Sequence, residues 1–344
     1  MNTTCFVKYA SALVALAICS ACGGALRPAQ GDMAVAPSAA TFNATYVGRT
    51  LFVNGRPVTA ARLNPLPRYA ELVPDKSKTK NYEYIFNYYD TYASIFDYPK
   101  SDRQIGTIDN LGGQGCTNVL YGYGKKTFWN VGGQDQIEEF KVPQKLIKTL
   151  SVAYSFPSSC AMDTSGDLAV GVLYASGAGG GDVVIFKNAS GSGTAYTTPL
   201  DEEFFDGYDN QGNLFADGFT GDRSGFALIE LPKGSTKFQT IATSNSPEFP
   251  GSVQWDGTYL TVFDQDTSET YQYTVSGTTA TLKNTVQFTG ASDCAQTWIV
   301  QGLLYCGDAG DYGAEVFKYP AGGSPIASFS GNFDLPLGAV AAKK

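Results

Sequence analysis

The sequence predicts an all-β chain, a six-bladed β-propeller of four-stranded blades about 44 residues long, closed into a ring by the C-terminal strand. Three observations predict it. First, an apolar or aromatic strand ending in a turn residue recurs at Pro99, Pro143, Asn188, Pro232, Ser276 and Pro320, at intervals of 44, 45, 44, 44 and 44. Second, the runs between these anchors are short and β-rich, with turn glycines at Gly124, Gly166, Gly212, Gly257 and Gly302, and no helical period of useful length intervenes. A period of this length carrying four short strands is the mark of propeller blades. Third, residues 335–341 (LPLGAVA) repeat the opening-strand pattern after the last hairpin is complete, whereas the first unit begins at its second strand, 82–89 (YEYIFNYY). A C-terminal strand that completes the first blade would remove the exposed sheet edges.

Taken in order, residues 1–21 read as an export signal. Lys8 supplies a positive start, 10–18 (ASALVALAI) is an apolar stretch too short to span a bilayer, and small Ser20 and Ala21 precede Cys22-Gly23. This run resembles a bacterial lipoprotein signal, which implies that Cys22 is the lipid anchor and the protein an envelope lipoprotein; plain secretion is the alternative. Residues 22–44 are a Gly/Ala/Pro tether with little to bury. Residues 45–80 form an N-terminal hairpin region in which Asn54-Gly55 separates two apolar runs, a strong hairpin signal because both turn positions favour positive φ. Residues 81–344 hold the repeats. The aromatic crowd of Tyr82, Tyr84, Phe86, Tyr88, Tyr89, Tyr92, Phe96 and Tyr98 reads as packing between twisted sheets, with ligand stacking as the alternative.

Export makes the cysteines informative. Four of the seven remain in the mature chain beside Cys22: Cys116, Cys160, Cys294 and Cys306. An even number in an oxidising compartment predicts two disulfides. Cys116 and Cys160 hold equivalent places in successive units, so their strands should be neighbours; Cys294 and Cys306 flank Gln301-Gly302, close enough for a hairpin bridge.

The segments 163–170 (DTSGDLAV) and 209–216 (DNQGNLFA) resemble the core of NHL-type repeats, and residues 82–341 are similar to six-bladed NHL and SMP-30/gluconolactonase-like propellers. The aspartates that open these motifs, Asp163 and Asp209, read as turn caps whose carboxylates accept backbone N–H groups.

Composition limits the chemistry. The 344 residues contain no histidine, so imidazole-based nucleophilic triads and His-held metals are excluded. A formal charge of −8 with no basic run argues against nucleic acid. What remains is carboxylate chemistry where the opening strands converge, and the candidate ligands there are Asp206, Glu248, Asp293 and Asp334. The SMP-30 resemblance implies a divalent cation such as Ca²⁺ held by such groups, and hence a metal-dependent lactonase-like hydrolase as the alternative function. The preferred expectation is a monomeric binding or assembly platform for a protein or carbohydrate ligand. No catalytic residue or firmly implied cofactor accompanies it, and the membrane is met only through the lipid.

Overall fold

The structure is a computed structural model that describes residues 44–47, 50–53, 56–58, 80–88, 91–132, 136–152, 156–173, 181–220 and 225–344. The signal, most of the tether and the anchor Cys22 lie outside the described residues, as do Asn54, Gly55 and Tyr89. Two compact units divide at residues 65 and 66. In the first, β1 (Ala44–Val47), β2 (Thr50–Val53) and β3 (Arg56–Val58) form an antiparallel sheet in which Val53 pairs with Arg56.

The second unit is all β among its described residues, apart from one short 3₁₀ turn. Its first strands are β4 (Asn81–Asn87), β5 (Tyr92–Phe96) and β6 (Gly106–Asp109). Next come β7 (Gln114–Thr117), β8 (Gly124–Lys125), β9 (Thr127–Val131), β10 (Gln136–Lys141) and β11 (Lys145–Ser151). A third group holds β12 (Pro157–Met162), β13 (Leu168–Val172), β14 (Asp182–Phe186) and β15 (Thr194–Thr197). Two more follow: β16 (Glu202–Tyr208), β17 (Leu214–Phe219), β18 (Phe226–Leu231) and β19 (Gln239–Thr243), then β20 (Val253–Trp255), β21 (Leu260–Asp264), β22 (Glu269–Ser276) and β23 (Thr279–Gln287). The chain ends with β24 (Cys294–Val300), β25 (Leu303–Asp308), β26 (Gly313–Lys318), β27 (Ala327–Ser328) and β28 (Pro336–Lys343).

These strands make three four-stranded sheets, one eight-stranded sheet and one five-stranded sheet. The C-terminal β28 pairs antiparallel with β4, Gly338 opposite Phe86. The innermost strands follow one another around an axis. β7 packs against β12, β12 against β16, β16 against β20, β24 against β28 and β28 against β7. Hydrogen bonds join the remaining neighbours β20 and β24: Ser252 Oγ lies 2.7 Å from Thr297 Oγ1, and Ile299 N donates to Gln254 Oε1 at 2.9 Å. The architecture is therefore all-β and propeller-like.

Apolar side chains fill the spaces between sheets because strand alternation sends them there from both faces. Tyr82, Tyr84, Phe86 and Phe96 are fully buried, and Tyr84 lies 4.1 Å from Phe128 on the adjoining sheet, centroid to centroid. For these four, packing is the correct reading of the aromatic crowd. Both predicted disulfides are present: Cys116–Cys160 ties β7 to β12, and Cys294–Cys306 ties β24 to β25. They point to a compartment outside the cytoplasm. No helix of the described residues is long and apolar enough to cross a membrane.

One predicted turn is wrong. Gly166, Gly212, Gly257 and Gly302 sit at positive φ between the first two strands of their units, as expected, but Gly124 lies in β8, paired parallel with the C-terminal β28. Nine residues separate β7 from β9, where the equivalent connections have five, five, four and two. The longer segment cannot be a tight turn and runs elsewhere.

Candidate functional site

Residues 118–126 leave β7 and hydrogen-bond to strands on the far side of the axis. Leu120 O accepts from Gln254 Nε2 at 3.2 Å, Gly122 N donates to Ile299 O at 2.9 Å, and Gly122 O accepts from Trp298 Nε1 at 2.9 Å. Since β7 has β12 and β28 as its neighbours, a segment that bonds to β20 and β24 must cross the axis. It continues to the β28 sheet, where Tyr123 OH donates to the buried Glu83 at 3.0 Å. This crossing loop lines a small axial cavity through Val119 and Leu120.

The wall of that cavity is polar for a protein interior. Ser159, Asp206, Ser252, Gln254, Gln296 and Thr297 all contribute. Gln296 spans the join between β24 and β7, accepting from Gly115 N at 3.0 Å and donating to Gly115 O. It passes Gly338 of β28, where an added Cβ would stand 2.5 Å from its Oε1, so only glycine admits the amide. Most buried polar side chains of the described residues are bonded in this way, as burial demands.

Gln114, Thr270 and Asp206 are among the described residues with buried side-chain atoms that lack a hydrogen-bond partner, and Asp206 is the carboxylate of which this holds for both oxygens. It lies in the interior of β16, with 5% of its surface exposed, and neither carboxylate oxygen has a hydrogen-bond partner. Ser159 and the Gly171 N–H approach and ease its ionisation without completing a hydrogen bond. Burial outweighs them and pushes its pKa up to about 7. The Ser159 hydroxyl donates instead to Glu203 at 3.3 Å, and Ser158 Oγ donates to the same carboxyl at 3.0 Å. Glu203 is itself fully buried, and desolvation, then the charge of Asp206, hold its pKa well above the usual carboxylate range.

The other three candidates occupy a different level. Glu248, Asp293 and Asp334 stand in the loops that lead into β20, β24 and β28, and each is held by its backbone. Glu248 N donates to Asp264 at 2.7 Å, Asp293 N to Asp308 at 3.0 Å and Asp334 N to Asn87 at 2.9 Å. The Glu248 side chain is exposed; those of Asp293 and Asp334 are half-buried. Burial, then the charges of Asp308 and Asp266, push Asp293 up to about 7. The sequence reading placed Asp206 at the same rim, but β16 already begins at Glu202, so Asp206 falls four residues inside. Among the described residues, the one group of three or more cysteine or carboxylate ligands within 4.8 Å of one another is Cys294, Cys306 and Asp308, and both cysteines are consumed by their disulfide.

Sequence reasoning missed the residues that fix the rim. Asn87, Asn130, Asp217, Asp264 and Asp308 lie at or near the ends of second strands and bind the loops leading into inner strands: Asn130 takes Gly112 N at 2.7 Å, and Asp217 takes Gly251 N at 3.1 Å. Their positions follow the same period as the turn residues, and that signal was available in the sequence. Asp163 and Asp209 behave as the predicted turn caps, each accepting two backbone N–H groups at 2.8–2.9 Å.

No protein-family model and no curated protein matches the chain. Solved structures do. A chain from the crystal structure of a nidogen/laminin complex is similar over 76% of this chain and 98% of its own, with a TM-score of 0.59 at 10% identity. A protein of unknown function from Bacteroides caccae is similar over 77% and 100%, with a TM-score of 0.56 at 11% identity. At such identities the likeness carries the fold alone, a propeller-like all-β arrangement.

Proposed function

We propose that the chain is an exported, lipid-anchored six-bladed propeller that serves as a binding or assembly platform through the rim formed by its opening loops. The six-blade count is supported by strand order. The eight-stranded sheet runs β16 to β19 and then β23 back to β20, two four-stranded sets touching through their outer strands, and the five-stranded sheet is β28, β4, β5 and β6 plus a two-residue strand lent by the crossing loop. Anchorage at Cys22 and the bacterial envelope rest on the signal resemblance and agree with the disulfides.

The observation that carries the platform reading is the rigid acidic rim. Glu248, Asp293 and Asp334 are presented by loops whose N–H groups are locked to Asp264, Asp308 and Asn87. Loops ordered before contact lose little entropy on binding, which favours a stable interface. The exposed carboxylate of Glu248, in a chain of net −8, suits a basic protein surface.

Site-specific photocrosslinking in cells tests this. A photoreactive residue at Glu248 should yield discrete adducts, whereas one at exposed Ile147 on β11 should not; equal labelling from both positions would overturn the reading. Metal-dependent lactone hydrolysis by the purified protein would replace it with the hydrolase alternative.

A further inference from the structure

Asp206 brings an acid into a cavity whose other lining residues are all uncharged, and its two oxygens meet no donor. The neutral polar groups around it are already committed. Ser159 Oγ donates to Glu203, and Ser252 Oγ is bonded to Thr297 Oγ1. Gln254 is bonded at one end to Leu120 O and at the other to Ile299 N, and Gln296 is bonded to Gly115. One carboxylate among spent oxygens is a poor set for a hard cation, which takes about six oxygen ligands. Protonation of Asp206 would remove its charge and strand an O–H donor in its place.

The wall is rich instead in ring and alkyl surface: Phe205, Tyr208, Trp255 and Trp298 line the cavity, with Val119 and Leu120 of the crossing loop. Such a wall around one carboxylate suits a cation that carries its own hydrocarbon, because ring faces attract an organic ammonium and a carboxylate accepts its N–H groups. Size narrows the class. The space open to water is about 30 Å³, enough for about two water-sized centres. That holds an –NH₃⁺ group and the carbon beside it, but not a nitrogen ringed by methyl groups. The lining comes from the C-terminal ends of β7, β12, β16 and β20, so the cavity lies toward the turns that follow the inner strands, away from the rim loops that lead into them. Val119, Leu120 and Trp255 are half-buried there, and the wall reaches solvent at that end.

We propose that the axial cavity at Asp206 binds a primary alkylammonium group, the carboxylate accepting its N–H donors and the aromatic wall covering its carbon chain, whether the group belongs to a free amine or to a lysine side chain of another protein. The site goes beyond the platform reading and shares with it only the axial order of the strands.

The test uses the full mature chain in amine-free buffer. Two of the three tryptophans, Trp255 and Trp298, line the cavity, so tryptophan fluorescence reports on it and calorimetry counts the sites. n-Propylammonium should bind saturably at one site per chain, whereas n-propanol, tetramethylammonium and sodium at the same concentration should not. Asp206→Asn should weaken n-propylammonium binding about tenfold or more, as expected when a charged hydrogen-bond acceptor is removed. Asp293→Asn at the rim should leave it unchanged. Should Asp206→Asn not fold, the comparison of n-propylammonium with n-propanol on the wild-type chain decides alone. Equal responses to those two probes, binding unchanged in Asp206→Asn, or a response to Ca²⁺ with none to n-propylammonium would each overturn the proposal. Lysine acetylated at its α-amino group and amidated at its carboxyl separates the sources: affinity at least equal to that of n-propylammonium supports a protein lysine, and weaker affinity supports a free amine. Failure of crosslinking at Glu248 would overturn the rim reading and leave all these results untouched.

Discussion

The two sides of the axial wall are held in different ways. Between β20 and β24 the contacts are hydrogen bonds, and the loops beside them hang on fully used carboxylates: Asp308 alone accepts from Ser292 N and Oγ, Asp293 N, Gly310 N and Asp311 N. Between β7 and β12 the tie is covalent, and on the next strand Asp206 accepts nothing. Both aspartates are buried carboxylates, Asp308 at the end of the second strand β25 and Asp206 inside the inner strand β16. The first has its charge spread over five donors and fixes a loop; the second has its charge unspent. Burial alone therefore says little about what an acidic residue does here, and the count of donors around it distinguishes the two.

The largest expected effect comes from breaking the scaffold side. Asp308→Ala leaves several buried donors without an acceptor, and at about 1–3 kcal/mol for each stranded group the loss should be about 5 kcal/mol. Urea unfolding measures it. Asp206→Asn removes no hydrogen bond and deletes a carboxyl whose ionisation burial opposes, so it should not lower stability at neutral pH. If the two substitutions cost the same, donor count is not what distinguishes them.

The disulfides sharpen the comparison at the next level down. Loop-closure entropy assigns about 4 kcal/mol to Cys116–Cys160, which spans 44 residues, and about 3 kcal/mol to Cys294–Cys306, which spans 12. Paired Cys→Ser variants, compared by denaturant midpoint, should preserve that order.

Glu83 lies between the extremes. It accepts from Tyr98 N at 2.8 Å and Tyr123 OH at 3.0 Å, with Tyr305 OH at 3.5 Å, yet burial still pushes its pKa from 4.5 up to about 8. Between those two values the folded chain keeps a proton that the unfolded chain has lost. Its contribution is therefore fully present below pH 4.5 and is lost as pH rises toward 8. The slope it adds is at most about 1.4 kcal/mol per pH unit. Across this window wild type should lose stability relative to Glu83→Gln as pH rises; a difference between the two that stays constant with pH would mean that Glu83 is ionised in the fold.

Much of this molecule was legible in its sequence because repetition was. A strand register repeated every 44 residues or so places Cys116 beside Cys160, and the hairpin around Gln301-Gly302 places Cys294 beside Cys306. The repeat hid what breaks it. Residues 118–126 preserve the overall period while replacing a turn, so Gly124 matched a series to which it does not belong. Asp206 was legible as a candidate, but its lack of donors was not, since that depends on where Ser159 directs its hydroxyl. The Asn87 to Asp308 series was visible as spacing and went unread, because a single polar residue inside an apolar strand looks like an exposed position.

The crossing loop allows the finest cut. Trp298→Phe keeps the ring in the wall and deletes only the indole N–H that donates to Gly122 O, a single hydrogen bond worth about 1 kcal/mol. Global stability should fall by that amount or less. Hydrogen exchange should quicken at Gly122 N, whose bond to Ile299 O depends on the same seat, while amides of β12 and β13 keep their protection. If exchange instead quickened evenly through the whole wall, the loop would be part of one cooperative core. A loop held only by a few bonds across the axis should open locally, and the cavity beneath it would then exchange its contents without unfolding the wall.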